Sequence, residues 1–297
     1  MSASDSPQQE IPKEIQNFFK GETGRTFIIK GKPRCGKTTF ALQVAHELWN
    51  PDNIYYIATR GSNEPLYTKY TWLKVHDEKV KALGEEPMGP SQQQSAPAGP
   101  PGGYSQQYGQ QQDQQPVGPG GQPQSARALL ESILKDTASS MQQPVQTQQP
   151  QQQGGGVKPI DRGHISMLLQ GADYREIEAV YKGIERSYPA KNFLLINRID
   201  RLAAKYGVDM EALVKVLIRD LVLDRNTYLV LVLNKIESGL DHLGDGIITL
   251  KEFGGGMVFI GQCELNKLSG IEMKQNKYLY NLLDGKFKLL KGITHWG

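Results

Sequence analysis

The chain has 297 residues, enough for one large domain or two small ones with a stable core. Its 34 Lys plus Arg against 31 Asp plus Glu leave a formal charge of +3, which implies no nucleic-acid or acidic-membrane partner. Two cysteines without paired spacing exclude a disulfide framework and a zinc site, and no secretory signal or run of roughly 18 apolar residues is present, so a soluble protein of the reducing cytoplasm is expected.

In chain order, the pattern predicts a helix around Lys13 to Phe19, a strand from Thr26 to Lys30, a Gly-rich loop, a helix from Thr38 to Leu48 and a strand from Asn53 to Thr59. Composition then changes near Gly84 and changes back near Val157, with Gln, Gly, Pro and Ser dominating between them. Such an insert offers too little apolar surface to offset the entropy of ordering its backbone, so disorder is its expected state. Within it, Leu129, Leu130, Ile133 and Leu134 fall at helical spacing behind Ser125, predicting a short amphipathic helix near 125–141.

Beyond the insert, the periodicity predicts a helix around Tyr174 to Ser187, a buried strand from Asn192 to Asn197, a helix from about Asp209 to Leu223 and a strand from Thr227 to Leu233. From Gly246 to Leu290, β-branched and aromatic residues alternate between Gly-rich turns, among them Asp284-Gly285 between two strand-like runs. These read as antiparallel strands extending a parallel sheet. Either block alone has too few strands to close a sheet, so the two are expected to fold as one alternating α/β unit.

Residues Gly31 to Thr38 read GKPRCGKT, a full match to G-x-x-x-x-G-K-[ST] between a predicted strand and a predicted helix. The glycines let backbone N–H groups turn inward around phosphate oxygens, and the following helix points its positive end at the same anion. Gly31, Lys32, Pro33, Arg34, Cys35, Gly36, Lys37, Thr38 and Thr39 are therefore the expected cradle for ATP. Lys37 supplies a point charge, Thr38 a hydroxyl for Mg²⁺, and Thr39 a contact to the α-phosphate. Cys35 has two readings, a small filler and a redox switch, of which the filler is preferred.

Around this loop, FIIKGKPRCGKTTFALQVAHEL resembles the KaiC-like branch of the RecA/RadA superfamily. The runs YYIATRGSNEPLYTKYTWL, INRIDRLAAKYGVDMEALVKVLIRDLV and LDHLGDGIITLKEF look like the archaeal KaiC-like ATPases that include the gas vesicle regulatory protein. The resemblance implies an α/β, RecA-like P-loop NTPase, its mainly parallel sheet flanked by helices and carrying antiparallel C-terminal strands. It makes residues 1–83 and 157–297 a single nucleotide-binding domain, with 84–156 as the insert.

Compared with the family pattern, three positions differ. A RecA-like metal-side strand ends in Asp, whereas this one ends in Asn197, which hydrogen-bonds a metal-bound water but brings no charge. Asp200, three residues further on, either substitutes for it or caps the next helix. Where the resemblance implies Glu residues after the second strand, Thr59 and Arg60 stand, leaving Glu64 as a candidate base. The Lys-x-Arg-Gly motif that faces a neighbouring subunit in KaiC-like rings reads Lys267-Leu268-Ser269-Gly270, without its arginine. Lys37, Glu64 and Asp200 are thus the catalytic candidates, and Thr38 and Asn197 the metal-side ones.

Asn234-Lys235-Ile236-Glu237 is an imperfect match to a guanine-reading motif, and the five histidines show no metal-ligand spacing. Arg198, Arg201 and Lys205 read as a basic helix start, a solvated face in preference to a nucleic-acid patch. The expected function is a slow, ATP-binding regulator with a protein partner or a second copy of the chain. The competing readings are a scaffold whose nucleotide is structural and a DNA-stimulated recombinase-like ATPase, the latter disfavoured by the near-neutral charge.

Overall fold

The apolar runs read from the sequence become strands of one mixed sheet, seen in a computed structural model that describes residues 11–59, 63–85, 160–170, 172–236, 239–253 and 259–290. Residues 86–156 of the insert, with the helix expected near 125–141, lie outside the described residues, as do Arg60, Glu237 and His295.

The first block runs α1 (Lys13–Phe19), β1 (Thr26–Gly31), α2 (Lys37–Leu48), β2 (Ile54–Ala58), α3 (Glu64–Tyr67) and α4 (Trp72–Glu85). The second continues with α5 (Gly163–Leu168), α6 (Arg175–Ser187), β3 (Phe193–Asn197), α7 (Ile199–Tyr206), α8 (Met210–Leu217) and β4 (Tyr228–Val232). It closes with β5 (Gly246–Phe253), β6 (Ile260–Leu268), β7 (Lys277–Leu283) and β8 (Lys286–Leu289).

The strand order is β2-β3-β4-β1-β5-β6-β7-β8. From β2 to β5 every pairing is parallel, and from β5 onward every pairing is antiparallel. Strands β1, β3 and β4 are buried along their whole length, and they read as unbroken apolar runs because both faces of the parallel section are covered. On one face Phe27, Phe193, Leu195 and Val230 share a core with Phe40, Ala41 and Val44 of α2. Phe19 of α1 extends this core, its ring 5.1 Å from Phe27 and 5.5 Å from Tyr228. The result is the expected α/β architecture, a parallel section flanked by helices and extended by antiparallel C-terminal strands. The Asp284-Gly285 turn joins β7 to β8 with φ of 52° and 67°, the paired positive values that a two-residue type I′ hairpin demands.

Two readings change. The helix expected over Asp209 to Leu223 is α-helical only to Leu217 and continues as a π-helix over Ile218–Leu223. Asp209 is its cap, accepting from the Ala212 N–H at 2.8 Å. Asp200 is not a cap: α7 begins at Ile199 behind Arg198, a left-handed residue without a side-chain cap, and Asp200 lies in the first turn. Helices α3, α4 and α5 were not expected, and α7 bears out the basic helix start read at Arg198, Arg201 and Lys205. Helix α7 lacks the usual capping residue, and α4 runs up to the composition break at its far end.

Candidate functional site

The phosphate-loop motif spans the end of β1 and the start of α2. Arg34 and Gly36 both take left-handed backbone, φ 72° and 83°, a geometry that turns successive N–H groups toward one concavity. A Cβ at Gly31 would stand 2.3 Å from the Leu250 carbonyl oxygen, so only glycine allows this approach to β5. Gly36 heads α2 with no side-chain cap, and the helix's first turn carries no acid. Its leading N–H donors, which have no partner within the helix, are thus left facing the loop. Tyr280 of β7 anchors the loop from behind, its hydroxyl donating to the Cys35 carbonyl at 2.5 Å.

Lys37 is only 5% exposed. Its ammonium donates to the carbonyls of Gly31 at 2.9 Å and Lys32 at 2.6 Å, with the Cys35 sulfur 3.7 Å away. Burial lowers its pKa, against which the Cys35 sulfur raises it; Arg198 lowers it further and Asp200 raises it. Burial likewise pushes the Cys35 thiol up, with Lys37 opposing. A fully buried, protonated thiol is a poor nucleophile, so Cys35 fills space and the redox reading loses its support. Lys32, Pro33 and Arg34 form the exposed lip of the loop, and Thr39 is half-buried.

Across the sheet, the C-terminal end of β3 meets this loop. The Thr38 hydroxyl donates to Asn197 Oδ1 at 3.1 Å. Asn197 Nδ2 donates to the Tyr56 hydroxyl at 3.2 Å, and the Thr59 hydroxyl donates to the Asn197 carbonyl at 3.1 Å. One residue later Arg198 turns left-handed, its N–H donating to the Val232 carbonyl at 3.0 Å. Buried Arg198 Nε and Asp200 Oδ1 both lack a hydrogen-bond partner among the described residues, and both act on the Lys37 charge. Buried polar atoms left without a partner in a cleft that gathers cationic and hydroxyl groups fit a polar ligand.

Glu64 stands elsewhere. It is exposed on α3 and lines a cleft of about 620 Å³ with Tyr56, Tyr67, Asp77, Glu176 and Lys205, a lining that includes no residue of the phosphate loop. Lys267, in the altered neighbour-facing motif, donates to the Gly244 carbonyl at 2.7 Å, and the Ser269 carbonyl accepts from Arg25 at 3.0 Å. Sequence reasoning missed Tyr56, whose place on the apolar strand β2 carries no motif. It also missed the pairing of buried Lys30 with Asp241 at 2.6 Å, because the two lie 211 positions apart.

The residues therefore suit a nucleoside triphosphate with Mg²⁺. Inward N–H groups and Lys37 suit phosphate oxygens, while Thr38, Asn197 and Asp200 supply the oxygen donors a hard cation prefers. Among the described residues no helix is long and apolar enough to cross a membrane.

Comparison with known proteins singles out the same region. The family model described as the GvpD gas vesicle protein, P-loop domain, matches residues 15–88. Two Halobacterium salinarum proteins are similar over 60 residues, Protein GvpD2 at 37% identity and Protein GvpD1 at 34%, each match covering 20% of this chain. The chain spans only 12% and 11% of the lengths of these relatives. The crystal structure of a KaiC-like protein from Pyrococcus horikoshii is similar at 14% identity and a TM-score of 0.44, over 90% of each chain. Motif and family match together show that residues 15–88 are similar to the P-loop domain of the gas vesicle protein GvpD, here set beside a mixed sheet whose central pairings are parallel.

Proposed function

We propose that the chain binds ATP with Mg²⁺ at the Gly31–Thr39 loop and acts as a slow ATPase whose nucleotide state regulates a protein partner or a second copy of itself. The observation that carries this reading is the convergence of Lys37, Thr38, Asn197 and Asp200 at one loop whose backbone N–H groups turn inward. Bound Mg²⁺ neutralises charge on the terminal phosphates. The chain's own part is to hold and orient. Lys37 exchanges the Gly31 and Lys32 carbonyls for phosphate oxygens, and Thr38 and Asn197 set the metal side. Turnover is slow because Asn197 brings no charge, Glu64 lines a different cleft, and Ser269 occupies the place of a neighbour-facing arginine. Two buried free cysteines suit a cytoplasmic setting.

Calorimetry with ATP and Mg²⁺ tests the reading: wild type should bind, and Lys37→Ala should weaken binding by about 100-fold, the loss of a charge-assisted contact to phosphate. No heat from wild type, or equal affinity in both proteins, would defeat it. The neutral Asn197 favours a second reading, a scaffold that holds nucleotide without cleaving it. That reading predicts binding with turnover no higher than the Lys37→Ala background.

A further inference from the structure

Tyr56 has a role that no sequence motif assigns. It lies on β2, the edge strand of the sheet, and is 2% exposed. Its hydroxyl receives Asn197 Nδ2 at 3.2 Å, while Asn197 Oδ1 receives the Thr38 hydroxyl at 3.1 Å. The amide is thus clamped at both ends and is 1% exposed.

A hydroxyl that offers a lone pair to a cation must send its proton elsewhere. For Thr38 the acceptor at hand is Asn197 Oδ1. The amide's oxygen must then face Thr38, its NH₂ must face Tyr56, and Tyr56 must accept. This makes the chain of hydrogen bonds directional once metal is present. The main chain of Tyr56 is itself held: as an edge-strand residue its N–H has no strand partner on that side, and it donates instead to His76 Nε2 of α4 at 2.9 Å. The other His76 nitrogen, Nδ1, is 3.0 Å from Asp77 Oδ1, and Asp77 Oδ2 accepts from Tyr67 at 2.7 Å and Asn63 at 2.9 Å.

We infer that Tyr56 is a positioning residue for the phosphate site, orienting the Asn197 amide so that its oxygen faces the Thr38 hydroxyl, and that α4 holds Tyr56 in place through His76. The inference rests on the nucleotide reading proposed above. Removing the Tyr56 hydroxyl strands a buried N–H donor, and the amide relieves this by rotating away from Thr38.

The test is the affinity of the protein for a fluorescent ATP analogue, titrated with Mg²⁺ and repeated in EDTA, for wild type, Tyr56→Phe, Asn197→Ala and the double variant. Tyr56→Phe should raise the half-saturating Mg²⁺ about tenfold and leave the affinity in EDTA within about twofold, the cost of one stranded buried donor. With the amide removed in Asn197→Ala, adding Tyr56→Phe should shift the Mg²⁺ requirement by no more than about twofold. An unchanged Mg²⁺ requirement in Tyr56→Phe, an equal loss with and without Mg²⁺, or a full shift that persists beside Asn197→Ala overturns the inference while leaving nucleotide binding intact. A wild type that binds the analogue under neither condition overturns the nucleotide reading and this inference with it.

Discussion

The Thr38 hydroxyl donates to the side-chain oxygen of Asn197 across 3.1 Å, joining the first turn of α2 to the end of β3. At the end of β3 this site thus carries a neutral amide, 1% exposed, and no carboxylate.

Asn197→Asp exchanges this balance. Without metal, the variant buries a carboxylate with no cationic partner on its own strand, and its stability should fall by roughly 1–3 kcal/mol near neutral pH. With ATP and Mg²⁺ present, the added charge faces the cation, so the variant should gain more thermal stability than wild type does. Melting curves with and without both ligands measure the two increments. Equal increments would show that position 197 does not face the metal.

Gly31 and Gly36 differ in what surrounds them, and their alanine variants should differ accordingly. At Gly36 the left-handed backbone, φ 83°, costs alanine about 1–2 kcal/mol, and the nearest atoms are Leu282 methyl groups at 2.9 Å, which can yield. At Gly31 the obstacle is the Leu250 carbonyl oxygen at 2.3 Å, part of the β5 main chain, which cannot move without breaking the sheet. Gly31→Ala should therefore lower the denaturation midpoint more than Gly36→Ala. A milder or equal effect at Gly31 would contradict this account.

Asp220 sets a pH dependence away from the phosphate loop. It lies in the π-helix after α8, is 1% exposed, and accepts from the Tyr181 hydroxyl at 2.9 Å. Burial lifts its carboxyl to about 7; Asp224 and Asp161 add to the rise, while Tyr181 and Arg219 oppose it. His164 Nδ1 is 3.9 Å from its other oxygen. In the unfolded chain the carboxyl titrates near 3.9, so between about pH 4 and 7 the folded state binds more protons than the unfolded one. Stability is therefore lost as pH rises through that window, by roughly 2–4 kcal/mol for this group. Asp220→Asn keeps an acceptor for Tyr181 and removes the titration. Denaturant melts at pH 5 and pH 8 should show the variant gaining on wild type at the higher pH, and a constant difference would refute the assignment.

Much of this protein was legible in its linear order. The phosphate-loop motif was legible because its turn is a matter of local backbone geometry, Gly31 and Gly36 both taking positive φ, and eight consecutive residues suffice to encode it. Strands β1, β3 and β4 were visible as apolar runs because both of their faces are buried, and the β7–β8 hairpin because Asp-Gly tolerates two positive φ angles in succession. The start of helix α7 was legible from Arg198, Arg201 and Lys205, but not its cap, because Arg198, an unusual left-handed residue, stands where a capping side chain is expected.

What sequence could not decide were the long-range relations. Thr38 and Asn197 lie 159 positions apart, and only the order β3-β4-β1 in the sheet brings them within a hydrogen bond. The pairing of Tyr56 with His76 depends on β2 being an edge strand, a property of the whole sheet and not of any residue in it. Local conformation follows from neighbouring residues, so sequence determines it. Which strand ends meet is settled by burial of apolar faces over the entire domain, and that only the tertiary structure decides.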